Sequence, residues 1–516
     1  MNTYEVIIIG GGPVGVALGI ELGLQNIKTL ILEKYNQPLH STRAQSLSAR
    51  TMEFMLRWKI DKELEKNILL PLNYPQHGLW CSHLNGETYY SGSWGDNELD
   101  LNCSPKQGVR IPLWVTEEVL QARLNNFPSI HFLKNQEVLD IKLFSDCIEV
   151  ITFNKLTQKN EQYRSVFLAA CDGAKGISKE KLHNPFKCLS DKTKILCINF
   201  TSQDLQSKKT VADGIFYWIL SEEKTAFLGP IDLSAGIWFV QIICDSAFQE
   251  QVDEAYLSAL MNRIVGFTFQ KHIIDFHFWD MQVQLADYFS LENRVFWLGD
   301  AVHAFAPTGG LGLNTGFGDA VNLGWKLASV IKKQASASLL TTYEQERRPV
   351  CLANLDFARQ SAVEVLEIKK KYPPEKNYKA FAQANAELGK RFLSTSGLTM
   401  GYAYLNSSLT QKKFNDHHQN MPDKYIPKAD PGHFLPHKVF QDRSLYETLS
   451  PVHWNLLVSS NLSPNSITSS HHKVIPLANN TYPHEYLLVR PDWHIAQAEN
   501  KYESLLTVNH LLSQFM

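Results

Sequence analysis

The first residues with the types and spacing for chemistry are three glycines near the N-terminus. They occupy positions 10, 12 and 15 of the segment Gly10–Gly15, directly after the apolar run Val6–Ile9. Such a run predicts a buried parallel strand, and the small residues after Pro13 predict a helix. In a strand–glycine–helix unit the glycines permit a tight turn, close approach of a pyrophosphate and close helix packing. The unpaired N–H groups of the helix then face the phosphates. The segment therefore predicts a dinucleotide site rather than an unrelated glycine-rich loop.

A carboxylate follows the next predicted strand at the distance such a site requires. Lys28–Leu32 is a second apolar run, and Glu33 ends it about 20 residues after the glycines. An acidic side chain at this point holds a ribose diol of the nucleotide. We expect Glu33 and the adjacent Lys34 among the cofactor-binding residues.

A second stretch with chemical potential, Gly299–Leu327, lies far along the chain. It comprises a strand that ends in Asp300, a loop with glycines at 309, 310 and 312, and a helix start. Asp300 can accept hydrogen bonds from a polyol, and the turn Gly309–Asn314 directs backbone N–H groups and a helix dipole at whatever lies over it. Such a cradle would stabilise the negative charge of a reduced flavin. Two distant segments that grip one long cofactor fit FAD better than NAD.

Composition excludes several other classes of function. The 516 residues, 44% hydrophobic and 20% charged, are typical of a soluble globular protein with about three domains. A net charge of −2 gives no reason to expect nucleic acid or a membrane as partner. Eight cysteines show neither a CxxC pair nor metal-ligand spacing, so we expect reduced thiols in a cytoplasmic protein and no metal site. The apolar N-terminus lacks the basic start of a signal peptide, and no apolar run of about 18 residues is present, so we expect neither a signal peptide nor a membrane span.

Residues from about 190 to 285 are dominated by alternating polar and apolar positions. This pattern predicts a mainly antiparallel sheet that forms a second domain. Its aromatic side chains suit a pocket for a flat apolar ligand, although any one of them is equally well explained as part of the β core. As substrate-pocket residues we predict Tyr217, Trp218, Phe227 and Trp238.

Three motifs together resemble a known enzyme family. They are the N-terminal glycine turn, Cys171–Lys175 and Gly299–Leu327, and Tyr343–Pro349 also matches the family's next helix. Over essentially its whole length the chain is similar to the single-component (group A) FAD-dependent aromatic hydroxylases of the p-hydroxybenzoate/phenol hydroxylase superfamily. Residues 431–437 and 488–492 resemble the C-terminal domain of the long members.

The resemblance implies an α/β fold with three domains. These are a Rossmann-type (GR2-like) FAD-binding domain, an inserted mainly antiparallel β-sheet substrate domain, and a C-terminal thioredoxin-like domain, here without CxxC and therefore without redox chemistry. The implied boundaries are 1–72, 106–187 and 286–365 for the FAD-binding domain, 73–105 and 188–285 for the substrate domain, 366–424 for a helical linker, and 425–516 for the thioredoxin-like domain.

The resemblance also assigns contacts with FAD residue by residue. Glu33 would bind the adenosine ribose, and Asp300 would bind the ribityl chain. Arg43 would contact the cofactor near its pyrophosphate and ribityl region. Asp172 and Gly173 belong to a motif linked to both FAD and NAD(P)H, with an ordinary turn as the alternative. The full set of expected cofactor-binding residues is Gly10, Gly11, Gly12, Pro13, Val14, Gly15, Glu33, Lys34, Arg43, Asp172, Gly173, Asp300, Pro307, Gly309, Gly310, Leu311, Gly312, Leu313 and Asn314.

The chain departs from the family pattern at several positions. Lys175 and Gly176 replace the usual Arg and Ser, which bears on the NAD(P)H contact because lysine lacks the planar fork of arginine. Leu113 and Leu311 replace glutamines near the flavin. His303 is either a neighbour of the isoalloxazine that influences its proton balance or a structural loop histidine. We favour the structural interpretation because the chemistry requires no histidine there.

The activity implied by the resemblance is that of an NAD(P)H-consuming monooxygenase. NADPH or NADH reduces FAD, reduced flavin and O₂ give a C4a-hydroperoxide, and an aromatic ring, phenolic or polyketide-like, takes up the terminal oxygen. The cofactor carries this chemistry, so only His303 and Pro307, near the flavin, are candidate catalytic residues. The alternatives are a Baeyer–Villiger or epoxidising flavin monooxygenase, or a flavin oxidase or sensor without oxygenase activity. The sequence predicts neither the identity of the substrate nor an oligomeric state.

Overall fold

The protein is described here by a computed structural model, in residues 2–37, 45–71, 73–94, 102–221, 224–244, 252–410, 421–459 and 472–501. The helices are α1 (Pro13–Leu24), α2 (Ala49–Arg57), α3 (Asp61–Lys66), α4 (Leu113–Leu124), α5 (Ser178–Lys181), α6 (Leu205–Lys208), α7 (Glu254–Val265), α8 (Leu311–Ile331), α9 (Thr341–Lys371), α10 (Pro374–Leu393) and α11 (Ser396–Thr399). The strands are β1 (Asn2–Ile9), β2 (Thr29–Leu32), β3 (Ser46–Leu47), β4 (His77–Cys81), β5 (Thr88–Ser93), β6 (Val109–Arg110), β7 (Ile130–Leu133), β8 (Gln136–Leu143), β9 (Ile148–Asn154), β10 (Lys159–Ala170), β11 (Phe186–Cys188), β12 (Thr193–Thr201), β13 (Phe216–Leu220), β14 (Thr225–Asp232), β15 (Ile237–Ile243), β16 (His272–Met281), β17 (Gln284–Ala286), β18 (Ser290–Leu291), β19 (Val295–Trp297), β20 (His303–Ala304), β21 (Val439–Phe440), β22 (Arg443–Ser444), β23 (Trp454–Ser459), β24 (His472–Leu477), β25 (Tyr486–Val489) and β26 (Ile495–Glu499).

Five parallel strands form the core of the first domain. Their order is β19–β10–β1–β2–β7, with β1 in the middle. Val6, Ile7 and Ile8 are fully buried, as a central parallel strand requires, and α1 packs against α4 and α8 beside the sheet. The carboxyl ends of all five strands share one edge, where ligands of such sheets bind. The predicted Rossmann-type fold is confirmed.

The second sheet has seven strands in the order β16–β12–β15–β14–β13–β4–β5. Neighbouring strands are antiparallel except for β4 and β13, which run parallel. The strands β4 and β5 come from the earlier of the two chain segments predicted for this domain. The mainly antiparallel character predicted from the alternating pattern is confirmed.

Helices cover both faces of this second sheet. On one face Tyr217 and Trp238 share a hydrophobic cluster with residues of α7. On the opposite face the aromatic side chains pack against α9 and α10, and the Phe392 ring of α10 lies 5.3 Å from Trp80. The segment predicted as a linker therefore contributes to the core of the second domain, and the predicted boundary at 365/366 falls inside α9.

A four-stranded sheet in the order β24–β23–β25–β26 forms the C-terminal region. β23 and β24 are parallel, whereas β25 runs antiparallel to both of its neighbours. Arg490, directly after β25, contacts Glu346 of α9 through Nη1–Oε1 and Nη2–Oε2 distances of 2.7 and 2.8 Å. The region is thus fastened to the FAD-binding domain, and its thioredoxin-like identity remains a prediction.

Among the described helices, none combines the length and apolar character needed to cross a bilayer. In the same part of the chain no group of His, Cys, Asp and Glu is arranged to hold a metal ion. All eight cysteines lie in the described ranges, and none forms a disulfide.

Candidate active site

The glycine turn between β1 and α1 contains two kinds of glycine. Gly10 has a φ of +101°, and a Cβ there would lie 2.3 Å from the carbonyl oxygen of Cys171. A Cβ at Gly15 would lie 2.0 Å from the Gly10 carbonyl oxygen. Both glycines are therefore required by backbone packing. A Cβ at Gly12 would meet no heavy atom within 4 Å, so open space lies over the N-terminus of α1, where Pro13 and Val14 begin the helix.

Glu33 lies at the carboxyl end of β2 and is fixed by two backbone donors. The Gly11 N–H donates to Oε2 at 2.7 Å, and the Tyr35 N–H donates to Oε1 at 2.8 Å. Lys34 is exposed, and its ammonium lies 4.9 Å from the centre of the Tyr35 ring. The glycine turn and the acidic residue are therefore adjacent, as their spacing predicts. Arg43 lies outside the described residues.

Residues after the neighbouring strands β10 and β19 also converge. The Asp172 carboxylate accepts hydrogen bonds from the Ser178 N–H at 2.9 Å and from its Oγ at 2.8 Å. The Lys179 ammonium donates to the Gly173 carbonyl at 2.9 Å. Burial lowers the pKa of Lys179, while Asp172 and Asp300 both raise it, so the two predicted carboxylates lie near one lysine. Sequence reasoning did not single out Lys179.

The departure at Gly176 has a steric reason. A Cβ at this position would lie 2.0 Å from Cγ of Asp172, so the carboxylate occupies the space of a serine side chain. Lys175 is exposed beside it. The Asp172–Gly173 turn is therefore closed on itself by Ser178, while Gly173, with φ +76°, has no heavy atom within 4 Å of its Cβ position.

Val14 joins the two predicted cofactor segments. The Cβ position of Gly299 lies 3.1 Å from Val14 Cγ2, and that of Gly316, in α8, lies 2.6 Å from the same atom. The glycines of the second stretch thus let α8 approach the first turn of α1. The two distant segments form one crevice at the carboxyl edge of the sheet.

The loop before α8 is built on two left-handed glycines. Gly309 and Gly310 have φ values of +79° and +66°, and Gly310 is the N-cap of α8. Pro307 is exposed, and the segment Gly312–Asn314 is half-buried. The first turn of α8 therefore presents backbone N–H groups and its positive dipole end at an accessible surface.

The Asn314 side chain holds this turn in place. Its Oδ1 accepts hydrogen bonds from the Ser48 N–H at 2.9 Å and from Thr51 Oγ1 at 2.6 Å. Its Nδ2 donates to the carbonyl oxygens of Ser46 at 3.1 Å and Gly310 at 2.6 Å. Because the amide is fully engaged, only the backbone of Asn314 is available to a cofactor.

The Leu311 side chain does not face the predicted cofactor crevice, so only its backbone is available there. This side chain is 1% exposed and packs with Phe357 and Leu398, away from the accessible surface of the loop. Leucine in place of the family's glutamine therefore removes no polar side chain from the crevice.

Two of the four predicted substrate-pocket residues are also corrected. Tyr217 and Trp238 belong to the cluster around α7, on the face of the second sheet that points away from the FAD-binding domain. Trp218 and Phe227 lie on the opposite face, with ring centres 5.1 Å apart. Successive residues of a strand alternate between faces, so Tyr217 and its neighbour Trp218 cannot line the same pocket.

A buried ionic cluster beneath the loop was missed by sequence reasoning. His303 is fully buried, and its Nε2 lies 2.7 Å from Oδ2 of Asp319. The same carboxylate accepts hydrogen bonds from the Gly299 N–H at 3.1 Å and from Arg347 Nε at 2.8 Å. Burial alone would raise the pKa of Asp319, but His303 and Arg347 hold it below its usual range. His303 thus contacts a structural cluster, and no local sequence pattern indicates it because Asp319 and Arg347 are distant from His303 along the chain.

The chain matches the FAD binding domain family over residues 3–358. A FAD-dependent monooxygenase of Emericella nidulans, apdD, is 26% identical over 484 residues, which cover 85% of this chain and 75% of that protein. The 2,4-dichlorophenol 6-monooxygenase of Cupriavidus pinatubonensis is 24% identical over 471 residues, 86% of this chain and 76% of that protein. The crystal structure of the flavin-dependent monooxygenase PieE with FAD and substrate shares the fold, with a TM-score of 0.89, 20% identity and 99% coverage of both chains. The protein therefore belongs to the FAD binding domain family and is a flavoprotein monooxygenase with FAD as its cofactor.

Proposed function

We propose that this monooxygenase hydroxylates an aromatic substrate and uses NAD(P)H as the reductant. The observation that carries the proposal is the convergence of two segments on Val14, the glycine turn after β1 and the stretch that follows β19. A crevice built from two such distant segments suits a long dinucleotide with a flavin at one end. One similar enzyme is named for a chlorinated phenol, which supports a phenolic or other electron-rich aromatic substrate.

The residues of the crevice fit FAD. Open space over Gly12 and the N-terminus of α1 suits the pyrophosphate, because unpaired N–H groups and a positive dipole end attract phosphate. Glu33, already oriented by two N–H donors, would hold the adenosine ribose, and Asp300 the ribityl chain. The accessible backbone of Pro307–Asn314 would contact the isoalloxazine. When bound, FAD supplies the redox chemistry with NAD(P)H and O₂.

The protein itself would position the cofactor, stabilise negative charge at the flavin and shield the reacting ring from water. The first turn of α8, locked by Asn314, directs its dipole at the flavin site and would stabilise negative charge there. The aromatic face of the second sheet, with Trp218 and Phe227, would exclude water from the reacting ring. The exposed Lys175 is the proposed contact for NAD(P)H, as a point charge rather than a fork. We place the enzyme in the cytoplasm, because none of its cysteines is paired.

The test is NAD(P)H consumption by the FAD-loaded protein in air, with and without a panel of phenols and polycyclic aromatics. We expect one aromatic to stimulate consumption strongly and to yield a product heavier by one oxygen atom. NAD(P)H use that no aromatic stimulates, or aromatic-independent H₂O₂ production alone, would contradict the proposal.

A further inference from the structure

Arg110, at the end of β6, is a buried guanidinium that pairs with no carboxylate among the described residues. It is 6% exposed, and its Nη2 donates a hydrogen bond to Gln45 Oε1 at 2.6 Å. In the part of the chain that the structure describes, its Nε has no acceptor and no carboxylate pairs with it. Burial lowers the pKa of Arg110 to about 9, and the nearby Tyr74 only partly opposes this. A buried charge without a partner is costly, so its presence here points to a ligand that supplies the partner.

The backbone of Arg110 lies one strand away from the loop that precedes α8. Ser46 of β3 is its partner in the β3–β6 pair. The Ser46 carbonyl accepts the hydrogen bond from Asn314, and Ser46 Cβ lies 3.6 Å from the Cβ position of Gly310. Arg110 is therefore held beside the proposed flavin site by the same contacts that fix the start of α8.

The guanidinium of Arg110 extends from the β3–β6 pair to the second sheet. Its Nη2 lies 3.3 Å from the Cβ position of Gly229 in β14, so the glycine leaves room for the charged group. Its Cζ lies 5.4 Å from the ring centre of Phe239 in β15. Arg110 thus bridges the two domains at the face of the sheet that points to the FAD-binding domain.

Aromatic rings continue from Arg110 along this face. The rings of Phe239 and Phe227 are 5.5 Å apart, and those of Phe227 and Trp218 are 5.1 Å apart. The indole of Trp94 lies 3.7 Å from the Cβ position of Gly310, which closes the corner between loop and sheet. A flat aromatic ligand at this corner would meet apolar rings along its plane and one positive charge at its edge.

We propose that Arg110 binds an anionic oxygen carried by the aromatic substrate, either a carboxylate or an ionised phenol. The inference rests on the proposed function and narrows it, because it makes the enzyme selective for aromatic anions. A guanidinium favours such oxygens through charge-assisted, often paired hydrogen bonds. Beside a phenol it would favour the ionised form, which makes the ring more electron-rich.

The first experiment compares two ligands of one shape, 2-naphthoate and 2-naphthamide. Binding to the FAD-loaded protein without NAD(P)H is followed by calorimetry and by the flavin absorption spectrum. We expect naphthoate to bind tenfold or more tightly than naphthamide, and Arg110→Met to remove this preference while naphthamide binding changes less than twofold. This magnitude corresponds to about one hydrogen bond to a charged group. Arg110→Gln, which keeps a polar side chain near Gln45, serves the same purpose if the methionine variant does not fold.

Arg123→Met is the matched control. Arg123 also lies against a phenylalanine, with its Cζ 4.7 Å from the Phe127 ring, and its Nε likewise meets no acceptor in the described ranges of the chain. It belongs to α4, outside the proposed site, so its replacement should leave the preference for naphthoate intact. A second arm distinguishes the two anion sources. If the oxygen is phenolic, wild type but not Arg110→Met should lower the pKa of bound 2-naphthol, read from the naphtholate absorption band.

Several results would overturn the inference. The first is that wild type binds naphthoate and naphthamide equally well and does not lower the pKa of bound 2-naphthol. A second is an Arg110→Met protein that keeps the preference but alters the flavin spectrum, since the charge would then serve the cofactor. Stimulation of NAD(P)H use by neutral aromatics alone removes the anion site and leaves the proposed function intact. Anion binding that depends on Arg110, without any NAD(P)H turnover, supports the anion site and removes the proposed function.

Discussion

Gly10 and Gly12 are two residues apart but serve different purposes. Alanine substitutions at the two positions should distinguish an effect on protein stability from an effect on FAD affinity. Gly12→Ala places a methyl group in open space at a φ of −70°, so the stability of the apoprotein should change by no more than about 0.5 kcal/mol. The same methyl group fills the space proposed for the pyrophosphate, so we expect FAD affinity to fall about tenfold or more. FAD titration by fluorescence and thermal unfolding of the apoprotein measure the two effects.

Gly10→Ala is the contrasting variant. Its methyl group would collide with the Cys171 carbonyl in a left-handed conformation, so the variant should unfold at a markedly lower temperature even without FAD. A Gly12→Ala protein that retains FAD as tightly as wild type would contradict the placement of the pyrophosphate.

Asp319 carries a structural prediction at the same scale. Asp319→Asn removes the charge that faces the buried Arg347, which is 1% exposed. Breaking a buried pair from one side costs about 3–5 kcal/mol, because the remaining charge stays in an apolar environment. We expect a loss of this size in the urea-induced unfolding transition of the FAD-binding domain.

The surface pair of Asp356 and Arg359 provides the control for this loss. Both side chains are exposed, so Asp356→Asn should cost less than about 1 kcal/mol. Equal effects of the two substitutions would show that the cluster of His303, Asp319 and Arg347 does not stabilise the fold.

The role of a single residue can be predicted from the sequence where that role depends on residues nearby in the chain. The roles of Gly10 and Gly15 follow from a turn that their own neighbours create, and the position of Glu33 beside that turn follows from its distance along the chain. Asp319 and Arg110 gave no such signal, because their partners are distant in sequence and burial is not readable from one residue. An arginine within Val109–Pro112 resembles any surface arginine until the fold places Phe239 beside it.

At the scale of elements, the position of α8 depends on the Asn314 amide. Its four hydrogen bonds join the helix start to β3, to the N-cap residue of α2 and to the Gly310 carbonyl. Asn314→Ala removes these four bonds, and each buried polar group that is left unsatisfied costs about 1–3 kcal/mol. We expect faster backbone amide exchange in residues 308–318 and weaker FAD retention, measured by hydrogen-exchange mass spectrometry and by gel filtration.

Thr51→Val is the graded comparison for Asn314→Ala. It removes the 2.6 Å bond from Thr51 Oγ1 to Asn314 Oδ1 and a longer bond of 3.3 Å that Thr51 Oγ1 accepts from Ser48 Oγ. The three bonds of Asn314 to backbone groups remain. Its effect on exchange should be small. Unchanged exchange in Asn314→Ala would mean that packing, rather than the amide, positions α8.

Patterns in the sequence predicted which helices and strands form better than they predicted which elements pack against each other. The glycine loop and the following apolar run predicted α8, and alternation predicted the second sheet. Alternation also divides a strand into two faces, but it does not show which face meets the FAD-binding domain, so Tyr217 and Trp238 were assigned to the pocket. The apolar stripe of α10 likewise did not reveal that Phe381 and Phe392 pack on that sheet.

At the scale of the whole molecule, a buried ionic network fastens the C-terminal region to the FAD-binding domain. Glu346 of α9 contacts Arg490 and, at 2.7 Å, the ammonium of Lys326 in α8. Burial opposes its ionisation, but the charges of Arg490 and Lys326 lower the pKa of Glu346 to about 2. Since the unfolded value is 4.5, this carboxylate stabilises the fold above pH 4.5 and loses that contribution as the pH falls towards 2.

His494 should give the molecule a second, separable acid transition. Its ring stacks on Tyr404 with centres 4.1 Å apart, and burial lowers its pKa from 6.5 to about 4, although Asp492 opposes the shift. Between these values the unfolded state binds more protons, so stability falls as the pH drops from 6.5 to 4, by about 3 kcal/mol for the full shift. His494→Phe keeps an aromatic ring against Tyr404 but does not titrate. Unfolding measured between pH 7 and pH 4.5, above the range in which Glu346 titrates, should therefore depend less on pH in the variant. Parallel pH profiles for wild type and variant would show that His494 is not held neutral at this junction.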